Sequence, residues 1–371
     1  MPRSRPINVQ CPLLNYLLNI MQSATHRRSF NVHWQDNLSD YVTAISWSKQ
    51  EDLLAACSAA GEVLLWQDIE EQSFLLQSAG DSSTDCLNFS YDGQFLAAGG
   101  QDGVLRIWSM NSLKLVAELE NSRRWIDQLA WHPSCNQVAF SLGKKVQIWD
   151  AESRSAIAEL NFENSSIFGM AWHPQGKHLA ASGSKGVKIW NALRWDEVPR
   201  KLEIPSASGA IAWSGDGQRI AVANLDDNIA IAKLIGLKPS FMDGFPGKIR
   251  KLAWSDINTE LGVPLLAVAS GNVVGVLEKQ FDESAGWDGW VLDSDLEIVQ
   301  DIAFQPGTFH LASASDDGQV LLWYEAEQLA QLLTGASNGF SCLAWHPQGH
   351  KLAAGGQAGE VLIWKRDDSE V

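Results

Sequence analysis

Eight aromatic residues recur along this chain at a nearly constant interval, and each one closes a short apolar segment. These strand-end markers are Trp47, Phe89, Trp131, Trp172, Trp213, Trp254, Phe304 and Trp345. Successive markers are 41 or 42 residues apart, except for one interval of 50 residues before Phe304. A fixed period of this size indicates a repeat protein in which each unit is one supersecondary element that packs against its neighbours.

The pattern within one unit is clearest at the end of the chain. The apolar segment Cys342–Trp345 precedes a His-Pro-Gln-Gly turn, a second apolar segment, a glycine turn and a third segment that ends at Trp364. The second unit adds a fourth segment, LKLVAEL, and an Asp-Gly turn between its middle segments. Asp-Gly between apolar segments is a strong hairpin signal, and no helical period intervenes. The sequence therefore predicts four antiparallel strands per unit and an all-β fold.

These units resemble the repeats of WD-repeat β-propellers. The resemblance rests on Ile148–Asp150 (IWD), Gly99–Ser109 (GGQDGVLRIWS), Ser313–Trp323 (SASDDGQVLLW) and the repeated AWHP and AWS turns. It extends over about Ser29–Lys365 and implies a single propeller of eight four-stranded blades, with seven blades as the alternative count.

The chain also departs from the family pattern. The Gly-His dipeptide that usually precedes the first strand is absent from every unit. The turn Asp before the third strand is kept as Asp102 and Asp317, but Ala60 and Ala358 stand there in the first and last units. We therefore expect the family's His–Ser–Trp–Asp hydrogen-bond network to be lost, and stability to depend more on apolar packing.

The last unit lacks an outer strand of its own. The sequence KRDDSE that follows Trp364 is too short and too charged to form one. Because an open sheet edge promotes aggregation, we expect Ser29–Trp34 (SFNVHW) to complete the last blade as its outermost strand. The chain is thus divided into an N-terminal tail (1–28), the propeller (29–366) and an acidic C-terminal tail (367–371).

The sixth unit is irregular, which explains the interval of 50 residues. It contains a longer turn, Ser255–Pro264, and a long acidic connection, Lys279–Glu297. Within that connection we expect Trp290 to lie in a packed outer strand, whereas the sequence does not assign a place to Trp287.

The formal net charge of −16 argues against a nucleic acid or an anionic membrane as the main partner, since both require a basic face. No apolar run approaches the ~20 residues of a membrane span. The run Cys11–Met21 follows Arg3 and Arg5, but Asn15 and Asn19 interrupt it. We therefore expect a tail or a short docking helix rather than a signal peptide, while leaving open whether residues 1–20 belong to the mature protein.

The five cysteines are scattered and show no C-x-x-C spacing. Two of them, Cys57 and Cys342, lie inside apolar strands, as expected of small buried side chains in a reducing compartment. This usage predicts a cytoplasmic protein without disulfides.

The sequence shows no set of residues arranged for catalysis. His132, His173 and His346 occupy the same turn position in three units, and equivalent positions are displaced around a ring, so they cannot converge on one metal ion. The glycines do not precede a helix as a phosphate loop requires, and no G-x-S-x-G motif is present. We therefore expect a protein without enzyme activity, cofactor or metal. A propeller enzyme or small-ligand binder using the central channel mouth is the alternative.

Partner binding is the function that the resemblance favours. It implies docking on the face where the fourth-to-first and second-to-third loops open, near residues four and six positions before each marker, if the first strands contain no bulge. Our candidates for protein binding are Tyr41, Asp85, Arg124, Trp125, Asp127, Phe168 and Arg250. Exposed aromatic residues and Arg are typical of interface hot spots. Alternatively, Trp125 and Phe168 pack on each other and cap the channel. The predicted function is a non-enzymatic scaffold that presents a rigid face to a protein or peptide.

Overall fold

The computed structural model of the protein describes residues 29–67, 72–121, 124–163, 165–281, 286–292 and 297–367. Within these ranges the chain forms 32 β-strands and no helix, so none of the described segments is a helix able to cross a membrane. The strands are arranged in eight four-stranded sheets. The predicted N-terminal tail, and the C-terminal tail after Asp367, lie outside the described residues.

Each sheet is one blade of a propeller, and the strands follow one another in chain order. The first strand of the described chain is β1 (Phe30–Asn37). Blade one consists of β2 (Val42–Trp47), β3 (Leu53–Ser58), β4 (Val63–Gln67) and β5 (Gln72–Gln77), and blade two of β6 (Thr84–Phe89), β7 (Phe95–Gly100), β8 (Val104–Ser109) and β9 (Lys114–Glu120). Blade three consists of β10 (Leu129–Trp131), β11 (Gln137–Leu142), β12 (Lys145–Asp150) and β13 (Ser155–Asn161), and blade four of β14 (Gly169–Trp172), β15 (His178–Gly183), β16 (Gly186–Asn191) and β17 (Arg200–Glu203). Blade five consists of β18 (Ser208–Trp213), β19 (Arg219–Asn224), β20 (Ile229–Lys233) and β21 (Pro239–Met242), and blade six of β22 (Ile249–Asn258), β23 (Pro264–Ser270), β24 (Val273–Lys279) and β25 (Trp287–Leu292). Blade seven consists of β26 (Val299–Phe304), β27 (Leu311–Ser315), β28 (Gln319–Tyr324) and β29 (Gln328–Thr334). Blade eight consists of β30 (Phe340–Trp345), β31 (Lys351–Gly356) and β32 (Glu360–Arg366), together with β1.

The first strand of each blade lies innermost and lines a central channel. Inner strands of neighbouring blades contact one another around the whole ring, and β30 of blade eight contacts β2 of blade one. The prediction of one closed propeller with eight blades is therefore confirmed.

The ring is closed by a strand from the beginning of the described chain. β1 pairs antiparallel with β32, from Phe30 opposite Arg366 to Asn37 opposite Glu360. The predicted closure is confirmed, although the strand runs three residues beyond the predicted end at Trp34. The side-chain amide of Gln331 in blade seven accepts from the Phe30 N–H at 2.8 Å and donates to its carbonyl at 2.7 Å, which attaches the closing strand to a second blade.

Strand alternation explains why no blade can stand alone. In β3, Leu53, Ala55 and Cys57 pack against blade two, whereas Leu54 and Ala56 pack against blade eight. The same arrangement gives one apolar cluster at each of the eight blade boundaries. Because successive residues of a strand point to opposite faces, each blade has two apolar faces and needs two neighbours to bury them.

The strand-end tryptophans add a hydrogen bond across these boundaries. Each indole Nε1–H donates to the backbone carbonyl just before the marker of the preceding blade, at 2.9–3.2 Å. The donors are Trp47, Trp131, Trp172, Trp213, Trp254 and Trp345. The bond from Trp47 to Ala344 joins blade one to blade eight, so it crosses the point of ring closure. Blades two and seven carry Phe at the marker position, and Phe has no donor.

The turn histidines have a structural role, as the repeat predicts. His132 and His173 lie 3.1 Å through Nε2 from the carbonyls of Gly176 and Gly217 in the next blade. His346 of blade eight likewise faces the next blade, which is blade one, but its Nε2 lies 3.7 Å from a carboxylate oxygen of Asp52.

Two expectations about individual blades need revision. One part of the family's hydrogen-bond network is present, because Trp323 Nε1 donates to Ser313 Oγ at 3.0 Å in blade seven. In blade six, the supposed turn Ser255–Pro264 begins as strand, since β22 continues to Asn258. The acidic connection contains the outer strand β25, where Trp290 lies as predicted and Trp287 packs edge-on against Trp254.

Deletion of the closing strand provides a test of ring closure. A chain starting after Asn37 should melt at a markedly lower temperature and aggregate, because β32 becomes an open edge. A chain starting at Ser29 keeps β1 and serves as the control. Equal melting temperatures for the two truncated chains, measured by circular dichroism, would contradict this account of closure.

The indole bonds can be tested with a matched pair of substitutions. Trp213→Phe removes a donor bonded to Ala171, whereas Trp149→Phe removes a buried indole nitrogen without a partner in the described part of the chain. Both lose similar ring volume, so Trp213→Phe should lower the free energy of unfolding by about 1 kcal/mol more. Urea denaturation measures the difference, and equal losses would show that the inter-blade bond contributes nothing.

Candidate functional site

The loops of this propeller open on two faces. We call the upper face the one that carries the loops from fourth to first strands and from second to third strands. Because neighbouring strands are antiparallel, every inner strand begins at the upper face. The candidate binding residues, chosen at or before the starts of these strands, therefore all lie around the upper mouth of the channel.

The starts of the inner strands are not regular, which contradicts the bulge-free register assumed from the sequence. In six blades the pairing of the first and second strands shifts at the residue four positions before the marker. These residues are Thr43, Asp85, Gly209, Arg250, Gln300 and Ser341, and in blade five the shift also includes Ala210. In blades three and four no shift occurs: Asp127 lies two residues before β10, and Phe168 directly precedes β14. A bulge leaves one residue out of the ladder and redirects its side chain, so this position is free to differ between blades.

Some bulge residues join neighbouring blades. Thr43 Oγ1 donates to the carbonyl of Thr84, and Ser341 Oγ donates to the carbonyl of Val42. Each acceptor is the residue just before the bulge of the next blade, so the two bonds are equivalent. The charged residues Asp85 and Arg250 stand at the same position without such a bond in the described residues, and they remain available at the mouth.

Trp125 and Phe168 are exposed on the upper face. Their side chains are 57% and 41% accessible to solvent, and no ring contact joins them in the described part of the chain. The structure therefore does not show the alternative in which they stack on each other. Trp125 directly precedes Ile126, which is 0% exposed, and Phe168 directly follows Ile167, which is 2% exposed, so each exposed ring has a buried anchor beside it. The anchors hold the backbone in place, so the exposed rings are presented from rigid positions.

One side of the mouth is acidic. Asp85 of blade two and Asp127 of blade three are neighbours, and Ser83 Oγ donates to Asp85 at 2.5 Å. Burial raises the pKa of both carboxyls, and the charge of Asp85 raises the pKa of Asp127 further. Arg124 is exposed in the same loop as Asp127 but forms no ion pair in the described residues.

Tyr41 lies on the adjacent side of the mouth, between blades eight and one. Its side chain is half-buried, and this burial raises the pKa of the phenol. The phenol interacts with the Ser341 hydroxyl, so Tyr41 is partly engaged in the joint between these blades. Of the seven candidates, Tyr41 is therefore the one with the clearest structural role.

A cleft of about 690 Å³ opens at the mouth, with lining residues on blades three to seven and three basic residues on blade six. We call this space the mouth cleft. It is lined by Gln128, Phe168, Gly169, Met170, Gly209, Ala210, Ile211, Ala223, Asn224, Leu225, Lys248, Ile249, Arg250, Lys251 and Gln300. Its volume lies in the range of ligand pockets. Arg250 and Phe168 thus share a site, whereas Trp125, Asp85, Asp127 and Tyr41 border the mouth outside it.

The seven binding candidates omit several members of this cleft, although Lys248 lies six positions before a marker, where the sequence places residues near the mouth. Lys248 and Lys251 flank Arg250 in the segment GKIRK, and Leu225 is 57% exposed in a loop of blade five. Three cations within four residues, in a chain of net charge −16, were a signal that could have drawn attention to blade six. The exposure of Leu225 has no comparable signal, because the sequence does not distinguish it from a core leucine. Among the described residues no cluster of His, Cys, Asp and Glu is suited to hold a metal ion.

Comparisons with known proteins agree with this architecture. The model of the anaphase-promoting complex subunit 4 WD40 domain matches residues 45–134. The model of the WD domain, G-beta repeat, matches residues 155–191, 284–324 and 327–365. Together these matches cover more than half of the chain.

Curated relatives match over short stretches. Abnormal embryogenesis protein 30 of Caenorhabditis elegans is 30% identical over 121 residues, which are 30% of this chain and 11% of that protein. The mouse periodic tryptophan protein 2 homolog is 32% identical over 82 residues, or 22% of this chain and 9% of that protein. The chain therefore spans about a tenth of the length of these relatives.

Solved structures match over almost the whole propeller. Sqt1 from Chaetomium thermophilum superposes with a TM-score of 0.77 at 16% identity, covering 91% of this chain and all of that one. A second structure, of Sqt1 bound to the N-terminus of the ribosomal protein L10, gives the same TM-score at 18% identity. At this identity the likeness concerns the fold alone. The repeat matches over more than half of the chain, together with the eight closed blades, lead to the conclusion that this chain belongs to the WD-repeat β-propeller family.

Proposed function

We propose that this propeller is a non-enzymatic scaffold whose upper face binds a protein or peptide partner. The observation that carries the proposal is the exposure of Trp125 and Phe168 beside their buried anchors Ile126 and Ile167. Large aromatic side chains held at fixed positions bind with little loss of conformational entropy, and they dominate the energy of many interfaces.

The arrangement of the mouth supports a protein or peptide over a nucleic acid. Asp85 and Asp127 lie on blades two and three, and the basic residues of the mouth cleft lie on blade six, so both signs of charge are present at the mouth. A nucleic acid would meet Asp85 and Asp127 as well as an overall charge of −16, which disfavours its backbone. A polypeptide can place charges of either sign beside an apolar side chain and so match such a mouth.

The bound peptide in one Sqt1 structure gives a precedent for the fold. That propeller was crystallised with the N-terminus of ribosomal protein L10, and its shape is close to that of this chain. The identity of 18% does not carry the partner over, so L10 is not proposed here. The Sqt1 complex supports only the coarser proposal that a propeller of this form can bind a peptide.

A second candidate function is the binding of a small ligand in the mouth cleft, with or without catalysis. The cleft volume of about 690 Å³ is suited to a small molecule. Its lining offers cations and apolar side chains but no carboxylate or histidine. General acid–base chemistry usually relies on such groups, and we therefore propose binding rather than catalysis.

We also propose a cytoplasmic location. All four cysteines in the described ranges, Cys57, Cys86, Cys135 and Cys342, are free thiols. Burial raises the pKa of Cys57 and of Cys342 to about 12, which keeps both thiols protonated and unreactive. Such cysteines suit a reducing compartment.

Substitution of the two exposed aromatics tests the upper face. Trp125→Ala should change the free energy of unfolding by no more than about 0.5 kcal/mol, as is usual for an exposed side chain, whereas a buried Trp would lose ~3–5 kcal/mol. Thermal and urea denaturation of the purified variant measure this. A large destabilisation would show that Trp125 supports the fold instead of an interface.

The double variant Trp125→Ala/Phe168→Ala should lose the partners of the wild-type protein in affinity purification with mass spectrometry from the source organism. Phe241→Ala is the matched control, because Phe241 is 45% exposed on the outer strand of blade five, away from the mouth. Partners retained by the double variant, or lost equally by the control, would place the interface elsewhere.

The acidic side of the mouth should reduce stability at neutral pH. Burial raises the pKa of Asp127 above 3.8, so the folded protein binds this proton more tightly than the unfolded chain. This tighter binding of the Asp127 proton stabilises the folded protein below pH 3.8. The stabilisation is lost as pH rises through the pKa of Asp127 in the folded protein. Asp127→Asn should therefore melt at a higher temperature than wild type at neutral pH, with the difference closing towards acidic pH.

The control for this comparison is Asp196→Asn, on an exposed loop of blade four. Its melting temperature should follow that of the wild type throughout the pH range. A destabilised Asp127→Asn variant at neutral pH would mean that the Asp127 carboxylate makes favourable contacts and is not held at a cost in stability.

A further inference from the structure

The mouth cleft concentrates positive charge in a protein that is strongly acidic. Lys248, Arg250 and Lys251 all lie at the start of the inner strand of blade six, and no carboxylate is among the residues that line the cleft. The chain as a whole has 28 Lys and Arg against 44 Asp and Glu. A cleft lined by three cations and no anion is therefore opposite in sign to the average surface of this molecule.

The three cations differ in how far the protein itself neutralises them. Lys251 Nζ lies 2.9 Å from a carboxylate oxygen of Asp301 in blade seven. This carboxylate raises the pKa of Lys251, and it also accepts from the backbone N–H of Leu343 at 3.1 Å. Lys248 and Arg250 form no ion pair within the described ranges. Two positive charges thus face the cleft without a partner from the surrounding blades.

Blade five gives the cleft its depth. Gly209 and Ala210 follow Ser208, the first residue of its inner strand, and Ala223 of the next strand also lines the cleft. A Cβ atom at Gly209 would meet nothing closer than the Ala223 carbonyl oxygen at 3.7 Å. These small residues form a low floor between Phe168 on blade four and Arg250 on blade six. A side chain entering from above can therefore reach both walls.

The apolar part of the cleft lies next to the cations. Phe168 and Leu225 are 41% and 57% exposed, and Met170 and Ile211 also line the cleft. Such a surface would cover an apolar side chain. Arg250 can bind a carboxylate through two parallel N–H bonds, and Lys248 adds a mobile point charge.

Asp85 on blade two and Asp127 on blade three repel negative charge, and Asp127 directly precedes the cleft residue Gln128. An acidic ligand is therefore directed towards blade six and away from blades two and three. This opposition gives the mouth a polarity that a uniformly basic groove would lack.

From these observations we infer that the mouth cleft binds an acidic peptide segment, with a carboxylate side chain on Lys248 and Arg250 and an adjacent apolar side chain against Phe168 and Leu225. The inference rests on the proposed peptide-binding function of the upper face and specifies the chemistry of the partner.

Selection from a phage-displayed random peptide library on the full-length protein tests this chemistry. The recovered peptides should carry Asp or Glu next to a large apolar residue. Their affinity, measured by fluorescence anisotropy with labelled synthetic copies, should fall at least about tenfold in Lys248→Glu/Arg250→Glu and should weaken as salt is raised.

A matched control separates the local effect from the change in net charge. Lys114→Glu/Lys201→Glu alters two exposed lysines on outer strands by the same total charge and should leave the affinity within about twofold. Melting temperatures of both double variants show whether each remains folded. A tenfold loss in the control as well would mean that overall charge, not the mouth cleft, governs binding, and it would overturn the inference.

Other outcomes distinguish failure of the inference from failure of the proposed function. Recovery of basic peptides whose binding requires Asp85 or Asp127 would overturn the acidic partner and leave a peptide-binding upper face. Peptides whose affinity changes neither with substitution of the charged residues at the mouth nor with Trp125→Ala/Phe168→Ala would overturn both the acidic-peptide inference and the proposed peptide-binding function of the upper face. A selection that yields no binding peptide would likewise overturn the inference that an acidic peptide segment is sufficient.

Discussion

Every blade of this propeller has two apolar faces, and only a closed ring covers all of them. The alternating residues of β3 show the requirement, because one set packs against blade two and the other against blade eight. Eight such boundaries must form together, and the last depends on pairing of β1 with β32. The closing pair is therefore not a local contact: if it opens, one blade loses its outer strand and its neighbours lose cover. Indole bonds such as that from Trp47 to Ala344 fix neighbouring blades at one distance and angle.

This constraint explains which parts of the structure the sequence could predict. A residue that must fill the same boundary in every blade recurs at the same interval, as Trp172 and Trp213 do. Ser29–Trp34 could be recognised as the closing strand because an unpaired edge on the last blade had to be covered. The bulges at Asp85 and Arg250 could not be predicted in this way, since a bulge depends on how the strand start fits the ring and carries no fixed residue signature.

The candidate site was less predictable than the fold for a related reason. Tryptophan serves both as core and as exposed contact in this protein, so residue type alone did not distinguish Trp125 from Trp131. The structure separates them by their surroundings, because Trp131 bonds to the preceding blade and Trp125 is more than half exposed. The basic cleft could not be predicted without the assembled ring, because Phe168, Leu225 and Arg250 come together only when blades four, five and six are adjacent.

The two faces of the ring differ in how far the repeat restricts them. On the lower face, turn residues such as His132 and His173 bond to the next blade, so their identity is tied to assembly of the ring. At the start of the inner strand in six blades, a bulge releases a residue from the ladder, and that residue can be Thr, Asp, Gly, Arg, Gln or Ser. Some of these side chains join blades, but the half-buried Asp85 and the unpaired Arg250 do not. The charge of Arg250, held at the mouth without an ion-pair partner in the described residues, is unfavourable for the isolated protein. A ring stabilised by eight apolar boundaries can tolerate this charge, and a ligand of opposite charge would supply the missing partner.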